Sequence, residues 1–205
     1  MEGKRILFLG AHPDDFETGA GGLFAKLLGK MEYFHLVFSD CTDQPGNEKS
    51  VQEFHDAMKT LGLEKDRFSL FDIPNTKYPE HAADIRKAME DCRDSFKPDM
   101  IVTHHLKNLH QDHRCVTEQA LRVFKTQSIL MYEDLKSTPH FRPNLVVALT
   151  KEQLERKIRT LECYKSQFRR YYHDMEYVRA LARVRGKPIN SEFGEGLHIY
   201  KYAYW

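Results

Sequence analysis

Arg5-Ile6-Leu7-Phe8-Leu9-Gly10 runs without a spacer into Ala11-His12-Pro13-Asp14-Asp15-Phe16-Glu17. The first six residues read as a buried β-strand, a short apolar run bounded by glycine. The next seven set one imidazole and three carboxylates directly behind it. Open α/β sheets bind ligands outside the carboxyl ends of their strands, so this boundary points at once to a fold and to a place for chemistry. Working outward, Ala20–Leu28 is predicted helical, with Leu23, Leu27 and Leu28 on one face, and Tyr33–Ser39 reads as the next strand. Val51–Leu61 is a helix whose apolar face holds Phe54, Met58 and Leu61, and Gly62 caps its end. Phe68–Ile73 reads as a strand ended by Pro74, Asp84–Phe96 as a helix closed by Lys97-Pro98, Met100–Thr103 as a short buried strand and Arg114–Phe124 as a helix. Ser128–Tyr132 and Leu145–Leu149 are further strands. Lys151–Phe168 is predicted as one long amphipathic helix opened by a capping box of Thr150 and Gln153. Met175–Arg183 is predicted helical, and Leu197–Trp205 an extended aromatic tail. The order βαβαβαβαββα predicts an α/β fold with a doubly wound, mostly parallel sheet flanked by helices.

The chain has 205 residues, 41% of them hydrophobic. This suits a single domain spanning residues 1–205, since domains run to roughly 100–200 residues. With 31 Lys+Arg against 30 Asp+Glu, the charge balance argues against nucleic acid or an acidic membrane surface as a partner. No apolar run approaches the roughly 20 residues of a membrane span, and Asp14, Asp15 and Glu17 follow the first apolar run too closely for a signal peptide. The expectation is a cytoplasmic protein. Cys41, Cys92, Cys115 and Cys163 are widely spaced and read as free thiols. Cys115 is read as a small buried residue at a helix start rather than a soft metal ligand.

Two clusters carry the chemistry. In the first, Pro13 disfavours helix at His12, so His12 and Asp15 are expected in a turn where an imidazole and a carboxylate serve as divalent metal ligands. Asp14, beside such a metal, is placed to take a proton from its water. The glycines Gly19, Gly21 and Gly22 lack dinucleotide-fingerprint spacing and are read as small residues that let a helix pack closely on the sheet. The second cluster, His104-His105 and His110-Gln111-Asp112-His113, leaves the Met100–Thr103 strand. His113 is the candidate third ligand of a site with open positions, the arrangement of catalytic rather than structural zinc. His110 stands beside it, with Asp112 as the group that fixes its tautomer.

These residues resemble the PIG-L/LmbE-like family of zinc-dependent N-deacetylases. The AHPDD-x-E-x-G-x-GG element stands complete as Ala11 to Gly22, and H-x-D-H stands as His110 to His113. Tyr164-Lys165-Ser166-Gln167, Arg183-Val184-Arg185-Gly186 and Ser191-Glu192-Phe193 are similar to later family elements, so the resemblance covers nearly the whole chain. It implies a Rossmann-like fold and hydrolysis of an N-acetyl group from an amino sugar, a sugar nucleotide or a glycoconjugate. It further implies zinc ligands His12, Asp15 and His113, a general base Asp14, an oxyanion-stabilising or proton-donating His110, and Asp112 as its orienter. Protonated His110 is expected to face the oxyanion, and the leaving amine takes its proton from His110 or Asp14. Iron(II) suits the same ligand set. The rival readings are an amidohydrolase for another acyl group or a non-sugar amine, and a metal-retaining sugar-nucleotide binder without turnover. A homo-oligomer is compatible with either.

The sequence departs from the family at the rim. Where many members carry an Arg three residues before the Glu of the second helix, here Glu53, this chain has Ser50 beside Lys49. Ser39-Asp40-Cys41 lacks the usual third glycine, and His104 and His105 replace small or polar residues. Tyr164, Ser166 and Gln167 are read as anchoring the end of the long helix. Lys165, Arg169 and Arg170, with Arg179, Arg183 and Arg185, are read as a solvated face rather than a phosphate site. Tyr171-Tyr172 is a candidate sugar-stacking or subunit-contact pair; in the tail, Tyr200, Tyr202, Tyr204 and Trp205 are read as packing residues.

Overall fold

A computed structural model describes residues 1–167 and 174–203. Its chain order is β1 (Arg5–Gly10), α1 (Asp15–Leu27), β2 (Glu32–Val37), α2 (Ser50–Leu61), β3 (Phe68–Leu70), α3 (Ala82–Phe96), β4 (Met100–His104), α4 (Gln111–Val123), β5 (Ser128–Tyr132), β6 (Leu145–Leu149), α5 (Lys151–Leu161), α6 (Met175–Gly186) and β7 (Phe193–Lys201). The strands form one seven-stranded sheet in the order β3-β2-β1-β4-β5-β7-β6. From β3 to β5 all pairings are parallel; β7 runs antiparallel to both β5 and β6. This is the Rossmann-like, doubly wound arrangement the sequence predicts. The chain reverses its direction of travel across the sheet between β1 and β4, and a crevice at such a switch point is where ligands sit.

Strand alternation divides the core. Ile6 and Phe8 of β1 face the layer that includes α1 and α2, packing with Phe16, Phe24 and Phe54. Leu7 and Leu9 face α3 and α4, packing with Ile85, Met89 and Val116. Both faces of β1 are therefore covered, which explains its unbroken apolar run. Gly19 and Gly22 belong to close packing of α1. A Cβ at Gly19 would collide with the Tyr132 ring, and one at Gly22 would lie 2.5 Å from Leu149 Cδ1. The Gly62 cap is left-handed at φ 101°, and Thr150 and Gln153 exchange both capping-box bonds.

Several boundaries differ from the predictions. Helix α1 begins at Asp15 rather than Ala20, because Pro13 restrains His12 while Asp14, at φ 85°, turns the chain directly into the helix. Helix α4 begins at Gln111 rather than Arg114, since His110 serves as its N-cap. The long helix ends at Leu161. After it, Tyr164 donates to Glu17, and Ser166 donates to both oxygens of Glu53 at 2.9 and 2.7 Å. These bonds pull residues 165–167 into a single 3₁₀ turn and fulfil the anchoring role; Phe168 lies outside the described residues. Of the predicted extended tail, Leu197–Lys201 belongs to a strand that begins at Phe193; Tyr200 and Tyr202, read as packing residues, are exposed instead, because they lie on the open side of the outer half of β7 and just beyond its end. All four cysteines are free, and Cys115 is buried, donating its thiol to the Tyr78 carbonyl at 3.4 Å. No described helix is long and apolar enough to cross a membrane.

Candidate metal centre and active site

The carboxyl ends of β1 and β4 bring the two clusters together across the switch point. His12 follows β1, and its backbone N–H donates to Asp15 Oδ2 at 2.7 Å. Asp14 holds a left-handed backbone conformation, which a non-glycine residue adopts at a cost and which concentrates at functional sites. Beyond β4, Asn108 Oδ1 accepts the His110 N–H at 2.8 Å. His110 Nδ1 accepts the Asp112 N–H at 3.2 Å, closing the N-cap of α4. That cap sets His113 in the first turn of α4, fully buried.

Two imidazoles and a carboxylate then converge. His12 Nδ1 lies 3.2 Å from His113 Nε2, His113 Nε2 lies 3.4 Å from Asp15 Oδ1, and His12 Nδ1 lies 3.5 Å from Asp15 Oδ2. Each imidazole has a carboxylate on its far nitrogen. Asp112 Oδ2 stands 3.1 Å from His12 Nε2, and Asp134 Oδ2 stands 3.0 Å from His113 Nδ1. Asp134 is itself held by Ser137 Oγ at 2.8 Å, Asn108 Nδ2 at 3.2 Å and the Lys136 N–H at 3.0 Å. Carboxylates on the outer nitrogens fix ring orientation and raise basicity, the usual support of metal-bound histidines. They leave Nδ1 of His12 and Nε2 of His113 facing each other beside Asp15. This buried His/Asp group fits a divalent ion of the zinc or iron(II) type.

Two other triplets keep their donor atoms within 4.8 Å of one another: His12, His110 and His113, and Asp15, His104 and His113. Neither added imidazole has a lone pair as free. His104 Nε2 accepts the Ala11 N–H at 3.0 Å, and the ring stacks on His113 with centroids 4.0 Å apart. His110 spends its Nδ1 lone pair on the Asp112 N–H, which puts its proton on Nε2.

The electrostatics divide the carboxylates. Burial raises Asp14, and the neighbouring Asp15 charge adds to this, bringing it to about 7. Burial opposes ionisation of Asp15 too, but His113, His104 and His12 outweigh it and hold that carboxyl well below its usual range. Burial likewise disfavours a charged His12, yet Asp112 and Asp15 bring it up to about 9. Burial, then His113 and His12, lowers His110 to about 4. Burial lifts Glu17 to about 8 even though the Tyr164 hydroxyl donates to it.

The six sequence-predicted site residues thus lie together at one place, with one difference of detail. The Asp112 carboxylate is turned to His12; it lies 4.0 Å from His110 Nδ1, so His110 is oriented by the Asp112 backbone and by Asn108. Burial, with the His113 and His12 imidazoles beside it, disfavours the protonated form of His110. His104 was read as part of the second cluster without a role of its own, and Asp134 was not singled out, although both stand at or just beyond the carboxyl end of a strand. Of the positions where the sequence departs from the family, Ser50 is buried beside Glu53, which accepts from Ser166, and Gln167 Nε2 donates to Asn47 at 3.2 Å. Arg179 pairs with Glu155, Arg183 lies 3.8 Å from Glu192, and Arg185 grips Glu133 at 2.5 and 3.0 Å. Arg169, Arg170, Tyr171, Tyr172, Tyr204 and Trp205 lie outside the described residues.

The sequence pattern of the GlcNAc-PI de-N-acetylase family, PIG-L, matches residues 7–124, a span that includes both clusters. The chain belongs to this family. A relative, the Escherichia coli K12 protein named uncharacterized deacetylase YaiS, is 29% identical over 172 residues, covering 80% of this chain and 91% of YaiS. N,N'-diacetylchitobiose deacetylase from Pyrococcus horikoshii, solved with an inhibitor, shares the fold with a TM-score of 0.76 at 21% identity, over 96% of this chain and 83% of that one. GalB, the 4-carboxy-2-hydroxymuconate hydratase of Pseudomonas putida KT2440, does so with a TM-score of 0.77 at 20% identity over 98% of both chains. At such identities the likeness speaks for the fold, and the fold hosts more than one reaction.

Proposed function

We propose that this PIG-L protein is a metal-dependent hydrolase that removes an N-acetyl group from an amino sugar, sugar nucleotide or glycoconjugate. The observation that carries the reading is the convergence of His12 Nδ1, His113 Nε2 and the Asp15 carboxylate within 3.5 Å, with Asp14 next in sequence and pushed up to about 7. His12, Asp15 and His113 would hold the ion, zinc by preference and iron(II) as the alternative. When bound, such an ion polarises a carbonyl and acidifies water, the two things an amide needs for hydrolysis near neutral pH.

The chain's own groups do the rest. Asp14, ionised at the start, accepts the proton of the attacking water. His110, neutral and protonated on Nε2, donates a hydrogen bond to the acyl oxygen as negative charge builds there; one donor of this kind is worth about 3–4 kcal/mol. With His110 held near 4, Asp14 is the better source of the proton that the leaving amine requires. Asp112 and Asp134 keep the two ligand imidazoles in their working tautomers. Asp112 has a positioning role through His12, in place of the orienting role toward His110.

The test is acetate release by the metal-loaded protein from a panel of N-acetylated sugars, sugar nucleotides and non-sugar amides. Metal-dependent release from the sugar compounds is expected. Metal retention with no release from any member of the panel would overturn the reading.

A further inference from the structure

Adjacent residues at the end of β4 serve two different places. His104 stacks in the metal centre, while the His105 ring packs 5.1 Å from Phe141 and 5.3 Å from His198. His105 opens a cleft of about 870 Å³ between the 105–107 loop, the 139–142 turn and the outer half of β7, with Met131 in its lining. That volume lies within the ~300–1,000 Å³ of small-molecule sites.

The chemistry of the cleft is one-sided. Lys107, Arg142, His105, His140 and His198 line it, and no acidic residue does. Lys107, His140 and Arg142 are exposed. Among the described residues none of them has a carboxylate partner, whereas Arg179, Arg183 and Arg185 nearby in sequence to one another each have one. In a chain of net charge +1, this is a local excess of positive charge gathered in a concavity, where low-dielectric walls focus the field. His105 Nδ1 accepts the Lys107 N–H at 3.3 Å, which leaves its Nε2 as a donor. The aromatic walls are Phe141, buried, and Tyr200, with 47% of its surface exposed.

We infer that this cleft binds a phosphorylated small molecule of the nucleoside diphosphate class. Arg142 takes the phosphate oxygens in its planar fork, Lys107 and the imidazoles supply further donors, and Tyr200 stacks on the ring. The inference stands on the cleft alone and is independent of the acyl-hydrolysis reading.

The experiment uses the metal-loaded full chain and follows imidazole C–H resonances by NMR during titration with uridine 5′-diphosphate, with uridine as the uncharged control. Saturable shifts at His105 and His198 with the diphosphate, and none with uridine, are expected. The double variant Lys107→Gln/Arg142→Gln, on exposed positions, should keep its melting temperature and bind about tenfold or more weakly. Shifts confined to His110 and His113 would place the ligand at the metal instead. That result, the absence of saturation, or equal affinity in the double variant would each overturn the proposal.

Discussion

His35 offers a quantitative test of what burial does to a titratable group in this core. It lies in β2 with 1% of its surface exposed, its ring centroid 4.6 Å from Phe16 and 6.1 Å from Phe54. Neither ring nitrogen has a hydrogen-bond partner. Burial lowers its pKa from 6.5 to about 3. The sign follows from proton counting: below pH 6.5 the unfolded chain binds a proton that the folded chain refuses, so stability is full above 6.5 and is lost as pH falls toward 3. Each pH unit in that window costs about 1.4 kcal/mol, so moving from about pH 7.5 to about pH 4.5 removes roughly 2–3 kcal/mol through this one residue. His35→Phe removes the titration while keeping a ring among rings. At neutral pH it also removes two unsatisfied buried polar atoms, worth about 1–3 kcal/mol. Urea unfolding of both proteins over this range gives the comparison, since metal loss and other titrations are common to both. The variant should be the more stable at neutral pH, and its advantage should widen by roughly 2–3 kcal/mol on acidification. Parallel losses in the two proteins would show that the folded state protonates His35 freely, and the argument from burial would be wrong.

Other expectations are as direct. Asp14→Asn should retain the metal, by elemental analysis, yet lower kcat by about 10²–10⁴. Because the proposed base must be ionised, and burial with the Asp15 charge pushes Asp14 up to about 7, activity should rise with pH along an acid limb at or below that value, and the variant's residual rate should lack that limb. Asp134→Asn should weaken metal affinity by about 10–100-fold in a chelator competition, with the circular dichroism spectrum unchanged. Lys157→Met should destabilise by about 3–5 kcal/mol, because Glu195, bonded to Lys157 at 2.7 Å and to the Gly22 and Leu23 N–H groups at 3.0 and 2.6 Å, would keep a buried charge without its counter-ion. A thermal melt that hardly moved would show that the two backbone donors suffice.

The parallel half of the fold was legible because its strands are covered on both faces and read as unbroken apolar runs between amphipathic helices. The first half of β7 was not, for a local reason. Phe193-Gly194-Glu195-Gly196 carries two glycines and a charge where a strand usually has branched or aromatic side chains. The structure accounts for both glycines by close approach: a Cβ at Gly194 would lie 2.9 Å from the Gly186 nitrogen, and one at Gly196 3.1 Å from Arg185 Cδ. The charge is spent on helix α1 and Lys157. The early end of α5 was hidden for a related reason, since its pattern continues into residues that Glu17 and Glu53, more than a hundred positions away, capture for a different turn.

The site was legible to the extent that its chemistry is local. His12, Asp14 and Asp15 share one turn, and His110, Asp112 and His113 share one helix start, so two short motifs announce six residues. What decides which nitrogen each proposed ligand turns inward is long-range. Parallel pairing of β1 with β4, Leu7 opposite Ile101, carries the two motifs to the same end of the sheet, and only then does Asp112 reach His12 instead of its own neighbour His110. The register of β4 with β5 sets His104 opposite Tyr132, so Asp134, two residues beyond the strand, arrives behind His113. Shifting either register would separate a carboxylate from its imidazole while leaving both motifs intact in sequence. The motifs therefore specify which donors are present, and the strand register specifies which lone pairs they offer. For that reason Asp134, which belongs to neither motif, should matter to metal affinity as much as Asp112 does.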